Sequence, residues 1–187
     1  MVGETILETE RLLLREFDEG DGAAFYRLGS DPAIIKYTGD GGLTGLDHAL
    51  EVLRTHPLAD YSRHGFGRWA CVDKATGQVI GFAGLKYLDE LQEVDIGYRL
   101  LPAYWGQGLA TEACRPIVDY GFAHLRLDCI IGLVDPPNVA SIRVLEKLGF
   151  TPVGMVEYRG ESVAKYVIHA KRAALNDFAA PRLDSRP

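Results

Sequence analysis

Residues 96–113 read Ile96-Gly-Tyr-Arg-Leu-Leu-Pro-Ala-Tyr-Trp-Gly-Gln-Gly-Leu-Ala-Thr-Glu-Ala113. At their start, Val94, Ile96, Tyr98 and Leu100 alternate with Glu93, Asp95, Gly97 and Arg99, the period of two expected of a strand. The strand gives way to a turn, Gly106-Gln107-Gly108, and the turn to a helix expected over 107–124. The first N–H groups of a helix have no partners within it. They point outward with the positive end of the helix dipole and form an anion site. Gly106 and Gly108 let the backbone approach a bulky phosphate, and Ala110 keeps the third position small. This is not a Walker A loop, which needs Gly-Lys-Ser/Thr. Nor is it a dinucleotide Gly-x-Gly-x-x-Gly, because Thr111 holds the last position. Gly-x-Gly alone also fits a plain strand-to-helix connection.

Outward from this stretch, a β-branched run at 128–134 predicts the next strand. Residues 139–148 predict a helix that Gly149 ends in a left-handed conformation. Strands at 150–157 and 164–170 complete this half. On the other side, 66–72 and 79–85 flank Lys74-Ala-Thr-Gly77 as a hairpin, and a first strand is expected at 11–15. Asp18 is placed as the cap of a helix reaching about Leu28. Thr44 with Asp47 resembles a capping box for a helix carrying Leu46, Leu50 and Leu53 that stops before Pro57. Pro116 lacks the N–H for a helical bond, which predicts a kink or a shorter helix. The order fits an α/β (α+β) fold, a central mixed sheet with helices on both faces.

The 187 residues suit one domain, placed at 1–178, with 179–187 as a frayed tail. The net charge of −6 lacks a basic nucleic-acid footprint and tolerates a cationic substrate better than an anionic one. No apolar run approaches the roughly 20 residues of a membrane helix. Met1-Val-Gly-Glu-Thr does not open a signal peptide, so the expected location is cytoplasmic. Cys71, Cys114 and Cys129 lie in apolar stretches and read as buried reduced thiols. No C-x-x-C pair and only scattered histidines point to no metal site.

Tyr104-Trp-Gly-Gln-Gly-Leu-Ala-Thr-Glu-Ala113 strongly resembles the acetyl-CoA motif of the GNAT superfamily of acetyltransferases. The likeness continues in Asn138-Val-Ala-Ser-Ile-Arg-Val-Leu-Glu-Lys-Leu-Gly-Phe150. Glu8-Thr-Glu-Arg-Leu-Leu-Leu-Arg15 looks like the first strand of its ribosomal-protein N-acetyltransferase subgroup. The resemblance implies a mostly antiparallel central sheet. It implies that the CoA pyrophosphate lies on the backbone of Gly106, Gln107, Gly108, Leu109, Ala110 and Thr111. The pantetheine arm would pair with Tyr98, Arg99 and Leu100, and Asn138 would cap its helix, contact the CoA arm, or both. Trp105 departs from the family's Gln or Arg and is read as packing under the turn. Many members carry a tyrosine where this chain has Leu145, which cannot reprotonate a thiolate. Ser141 matches a subgroup serine and is either a hydroxyl for the developing thiolate or a plain first-turn residue. Arg143 and Lys147 read as solvated charge before phosphate ligands, and Glu112 as a packing or capping residue.

Only a free amine attacks a thioester, so the chemistry calls for a base. Glu93 and Asp95 share a strand face before the acetyl site, and Glu157 is similar to a glutamate that the subgroup uses. The expected enzyme is an amine N-acetyltransferase using acetyl-CoA by direct attack. No covalent intermediate is expected, because no cysteine is placed with a histidine base. The alternative is a non-catalytic acetyl-CoA-binding sensor or assembly module. A monomer or homodimer is expected, with no nucleic-acid or membrane partner.

Overall fold

The computed structural model describes residues 3–37 and 41–171. The alternating strand becomes the hinge of an eight-stranded sheet. In chain order the elements are β1 (Thr5–Glu8), β2 (Leu12–Arg15), α1 (Gly22–Ser30), α2 (Pro32–Ile35), α3 (Leu46–Thr55), α4 (Pro57–His64), β3 (Arg68–Asp73), β4 (Val79–Leu88), β5 (Glu93–Leu100), α5 (Leu109–Ala123), β6 (Cys129–Val134), α6 (Val139–Leu148), β7 (Thr151–Tyr158) and β8 (Glu161–His169). The sheet order is β1-β2-β3-β4-β5-β6-β8-β7. All neighbours are antiparallel except β5 and β6, which the α5 crossover joins in parallel. This is the expected mixed, mostly antiparallel sheet.

Each face carries its own core. Val94, Ile96 and Leu100 of β5 pack with Leu109, Ala113, Cys114 and Ile117 of α5 and Leu145 and Leu148 of α6. Phe82, Ala70 and Val72 pack instead with Leu28 of α1 and Leu53 of α3. Helices therefore cover both faces. Burying a side chain such as Ile117, fully inaccessible here, contributes about 2 kcal/mol. Gly121 sets the closeness of α5 to the sheet, since a Cβ there would stand 2.7 Å from Ile130.

The structure corrects several expectations. The first strand is β1, ahead of the one placed at 11–15. Thr44 and Asp47 form no capping box: α3 starts at Gly45 without a side-chain cap, and the Thr44 N–H donates to His48 Nδ1 at 3.3 Å. α3 does stop before Pro57, at Thr55, but an unexpected helix follows at once, with Pro57 in the first turn of α4, where its missing N–H costs no bond. Asp18 does cap, but a short 3-10 turn, Glu19–Asp21, ahead of α1. α5 is not shortened at Pro116 and runs through it to Ala123. Among the cysteines, Cys71 and Cys114 are buried and Cys129 partly so, all unpaired. The tail placed at 179–187 lies outside the described residues. Among those described, no helix is long and apolar enough to cross a membrane.

Candidate active site

The turn into α5 is built on two left-handed glycines, Gly106 at φ +74° and Gly108 at φ +78°. A Cβ at Gly106 would meet nothing within 4 Å, and at Gly108 only Arg11 Nη2 at 3.9 Å. The glycines thus serve backbone conformation and outward access rather than internal crowding. The Glu112 N–H is the first in the helix to find a carbonyl, that of Gly108 at 3.0 Å. The N–H groups of Gly106, Gln107, Gly108, Leu109, Ala110 and Thr111 find no acceptor among the described residues. Six donors at a helix N-terminus form a cradle for an anion.

Glu112, in the first turn, would repel that anion were it not neutralised. Its carboxylate accepts from Thr9 Oγ1 (2.7 Å), the Arg11 N–H (2.9 Å) and Arg11 Nε (2.7 Å). Burial alone would raise its pKa, but these bonds outweigh burial and hold it below the usual carboxylate range. Glu112 is the latch between the β1–β2 turn and α5, the packing role expected of it. Glu112→Gln is expected to cost about 1 kcal/mol through weakened hydrogen bonds to charge, read as a lower midpoint in thermal unfolding.

The cradle continues into an open strand edge. The Leu101 N–H donates to Ile80 at 2.9 Å, and Leu100 stands opposite Gly81. Antiparallel alternation then turns the backbone of Arg99 toward β4 and the amides of Tyr98 and Leu100 away from it. β5 and β6 pair only at Asp95 and Ile131. One step on, the Leu133 N–H donates to Asp95 Oδ1 at 3.0 Å instead of to a β5 carbonyl. The Asp95 carboxylate thus takes the place of the next ladder bond where the strands part. Of the three residues expected to meet the pantetheine arm, Tyr98 and Leu100 have amides on the open edge, whereas Arg99 spends its own on β4. Trp105 does not pack under the turn: it is 47% exposed, and its Nε1 donates to the Leu100 carbonyl at 2.7 Å.

Cross-strand partners share a sheet face, which lines Arg68, Gly84 and Gly97 in one row and Lys86 with Asp95 in the next. The Arg68 side chain lies across Gly97, while Gly84 is crowded by the Gly67–Arg68 backbone. A Cβ on Gly97 would stand 2.5 Å from Arg68 Nε. Its Nη2 reaches Asp95 Oδ2 at 3.3 Å. Burial pushes the Asp95 carboxyl up to about 6, although the Arg68 charge and the Leu133 N–H pull the other way. Glu93, on the same face, is ion-paired with Lys165 of β8. Glu157 is exposed and pairs with Ser162, on the face of Ala164 and Tyr166. That is the face opposite Asp95 and Lys165, so the three carboxylates are not brought together.

On the other side of the split, Asn138 Oδ1 caps α6 by accepting from the Ser141 N–H at 3.2 Å. The Ser141 carbonyl accepts from the Tyr98 hydroxyl at 3.0 Å, tying α6 to β5. Leu145 is 2% exposed and lies against Gly132, so no proton donor stands there. Arg143 and Lys147 are exposed. Arg68 and Lys86 were missed from sequence. Gly84 and Gly97 inside strands were the available signal, since strand glycines mark close approach by another group. Among the described residues, no group of His, Cys, Asp and Glu could hold a metal ion.

The family described as the acetyltransferase (GNAT) domain matches residues 11–151. The uncharacterized N-acetyltransferase p20 of Bacillus licheniformis is 35% identical over 152 residues, 80% of this chain and 84% of that protein. Spermidine N(1)-acetyltransferase of Escherichia coli is 38% identical over 142 residues, 75% of this chain and 73% of its own length. An acetyltransferase structure from Agrobacterium tumefaciens superposes with TM-score 0.77 at 27% identity, covering 88% of this chain and 94% of that one. GNAT enzymes use acetyl-CoA, and the donor cradle, the split strands and these relatives agree: the chain belongs to the GNAT family of acetyltransferases.

Proposed function

We propose that the protein transfers acetyl from acetyl-CoA to a primary amine by direct attack in a ternary complex, with residues 1–178 as one catalytic domain in the cytoplasm. One observation carries the reading: unused donors stand on the β5 edge at Tyr98 and Leu100, beside the split at Asp95, and again at residues 106–111 where α5 begins. The pyrophosphate takes the cradle and the pantetheine arm the strand edge, in the place of a β6 strand, with Asn138 beside it. The Tyr98 N–H polarises the thioester carbonyl. Asp95 takes the proton of the incoming ammonium, directly or through a water. The amine nitrogen then attacks the carbonyl carbon, the C–N bond forms, the C–S bond breaks, and the sulfur leaves as thiolate. The Ser141 hydroxyl hydrogen-bonds that thiolate, which takes up the proton that the new amide nitrogen sheds and leaves as thiol. Asp95 is preferred to Glu93, which Lys165 neutralises, and to Glu157, which lies on the other face. An acyl-cysteine path is disfavoured, because burial drives the Cys71 and Cys114 thiols well above their ordinary pKa.

A panel of amines incubated with acetyl-CoA tests this, read as thiol release and product mass. The expected result is one thiol per acetylated amine. Acetyl-CoA binding without turnover of any amine would favour the non-catalytic module instead. Ser141→Ala is expected to lower kcat about tenfold while leaving acetyl-CoA affinity within about threefold, because its bond strengthens as charge develops on sulfur. Equal kcat in the variant would leave Ser141 a structural residue of the α6 first turn.

A further inference from the structure

The face that receives the acetyl group carries two cations with unused donors. Lys86 stands directly opposite Asp95 on β4, and Arg68 lies one ladder step away, in the row of Gly84 and Gly97. Three of the nearby carboxylates are committed elsewhere. Asp95 accepts from Arg68 and from the Leu133 N–H, and Glu93 is ion-paired with Lys165. Glu90 faces Arg159 at 3.8 Å on the exposed rim. The Lys86 ammonium makes no hydrogen bond or ion pair among the described residues, although its side chain is half-buried. Arg68 Nε is a buried donor without a partner. Both are costly in a folded protein: an unpaired buried donor loses its hydration, and two cations in reach of one another repel.

Lys86 responds as expected. Burial lowers its pKa first, and Arg68 lowers it further, while Asp60 and Asp95 oppose and Arg159 adds to the repulsion. The formal charges around Lys86 balance: Lys86, Arg63 and Arg159 stand against Asp60, Asp89 and Glu90 around one cavity of about 170 Å³, and Arg68 stands against Asp95. What is left over is hydrogen-bonding capacity, at the Lys86 ammonium and on Arg68. The β7–β8 turn overhangs the cavity.

We propose that Lys86 and Arg68 form an anion subsite of the acceptor cleft, so that the acceptor is an amine that also carries a carboxylate or a phosphate group. The inference rests on the acetyltransferase reading above and names its substrate class. The anion pairs with the Lys86 ammonium and the accessible part of the Arg68 guanidinium, whose side chain is 30% exposed. The amine of the same molecule then lies toward Asp95 and the split between β5 and β6. Spacing between the two groups of the acceptor is short, since Lys86 and Asp95 are direct cross-strand partners.

Matched acceptor pairs test it with the native protein and acetyl-CoA: an amino acid against its carboxamide, and phosphoethanolamine against ethanolamine, with spermidine as a polycation. The anionic member is expected to show at least tenfold higher kcat/KM, about 1.4 kcal/mol, in one pair or both. The pair that responds identifies carboxylate or phosphate. Lys86→Gln is expected to remove that preference while leaving acetyl-CoA affinity unchanged. Its thermal midpoint should not fall, because no bond is lost. Neutral amines or spermidine turned over as well as the anionic members would overturn the subsite and leave the acetyltransferase reading standing. A preference that survives in Lys86→Gln overturns it likewise. Failure to bind acetyl-CoA would overturn both.

Discussion

Asp95→Asn is expected to lower kcat/KM by about 10²-fold or more, within the range of general acid–base catalysis, with acetyl-CoA affinity little changed. The pH profile carries the mechanism. A primary amine with the reference pKa of about 10.4 for a lysine side chain is almost wholly ammonium over the neutral range. Asp95, pushed up to about 6, must be ionised to take the ammonium proton. In the native enzyme, log kcat/KM therefore rises with slope one below about pH 6 and levels off above it. In Asp95→Asn the plateau is lost and slope one runs through the neutral range, because only amine already free in solution reacts. A fall in rate with the plateau intact would assign the proton transfer elsewhere, and Glu93→Gln and Glu157→Gln would then be compared.

Folding provides the control for that experiment. A carboxyl whose pKa is raised on folding contributes stability that is present below its unfolded pKa, about 3.9, and lost as pH rises through about 6. Asp95→Asn removes this loss, and the amide oxygen can still accept from Leu133. The variant's stability relative to the native chain should improve between pH 4 and pH 7. A loss of activity there cannot be assigned to unfolding.

The second large effect is at the cradle. Gly108→Val is expected to weaken acetyl-CoA binding at least tenfold, about 1.4 kcal/mol or more. Gly108 is left-handed at φ +78°, a conformation that a β-branched residue adopts only with strain. The added side chain has open space around it, so the damage falls on the direction of the N–H groups and on the approach of the ligand. Calorimetry on a folded variant with unchanged affinity would contradict the phosphate assignment. Gly106→Val should behave alike, since nothing crowds that position either.

Much of this was readable in the chain because it is encoded locally. The alternation in β5 needs only neighbouring residues, and the Gly-x-Gly turn and the Gly149 stop are single-residue backbone requirements. Elements with weak local signals were missed. β1 is four residues long and partly polar, Thr5–Glu8, and its pairing with β2 is what makes it a strand. α4 hid behind Pro57, which stops one helix and starts the next with equal ease. The cleft was the least readable part. Glu93, Asp95 and Glu157 look equivalent in sequence. Only the register that sets Lys86 against Asp95, Lys165 within reach of Glu93 and Glu157 on the opposite face separates them. Arg68 comes from β3, 27 residues from the Asp95 it meets, and no pattern within either strand announces that contact.

If acetyl-CoA lies along the donors of β5 and the start of α5, amide chemical shifts of nitrogen-labelled protein will report it during titration with acetyl-CoA. The largest changes are expected at the N–H groups of Tyr98 and Leu100 and of residues 106–111, with Arg99 moving less because its amide is held by β4. Saturable changes centred elsewhere, with residues 106–111 and Tyr98 unmoved, would contradict it.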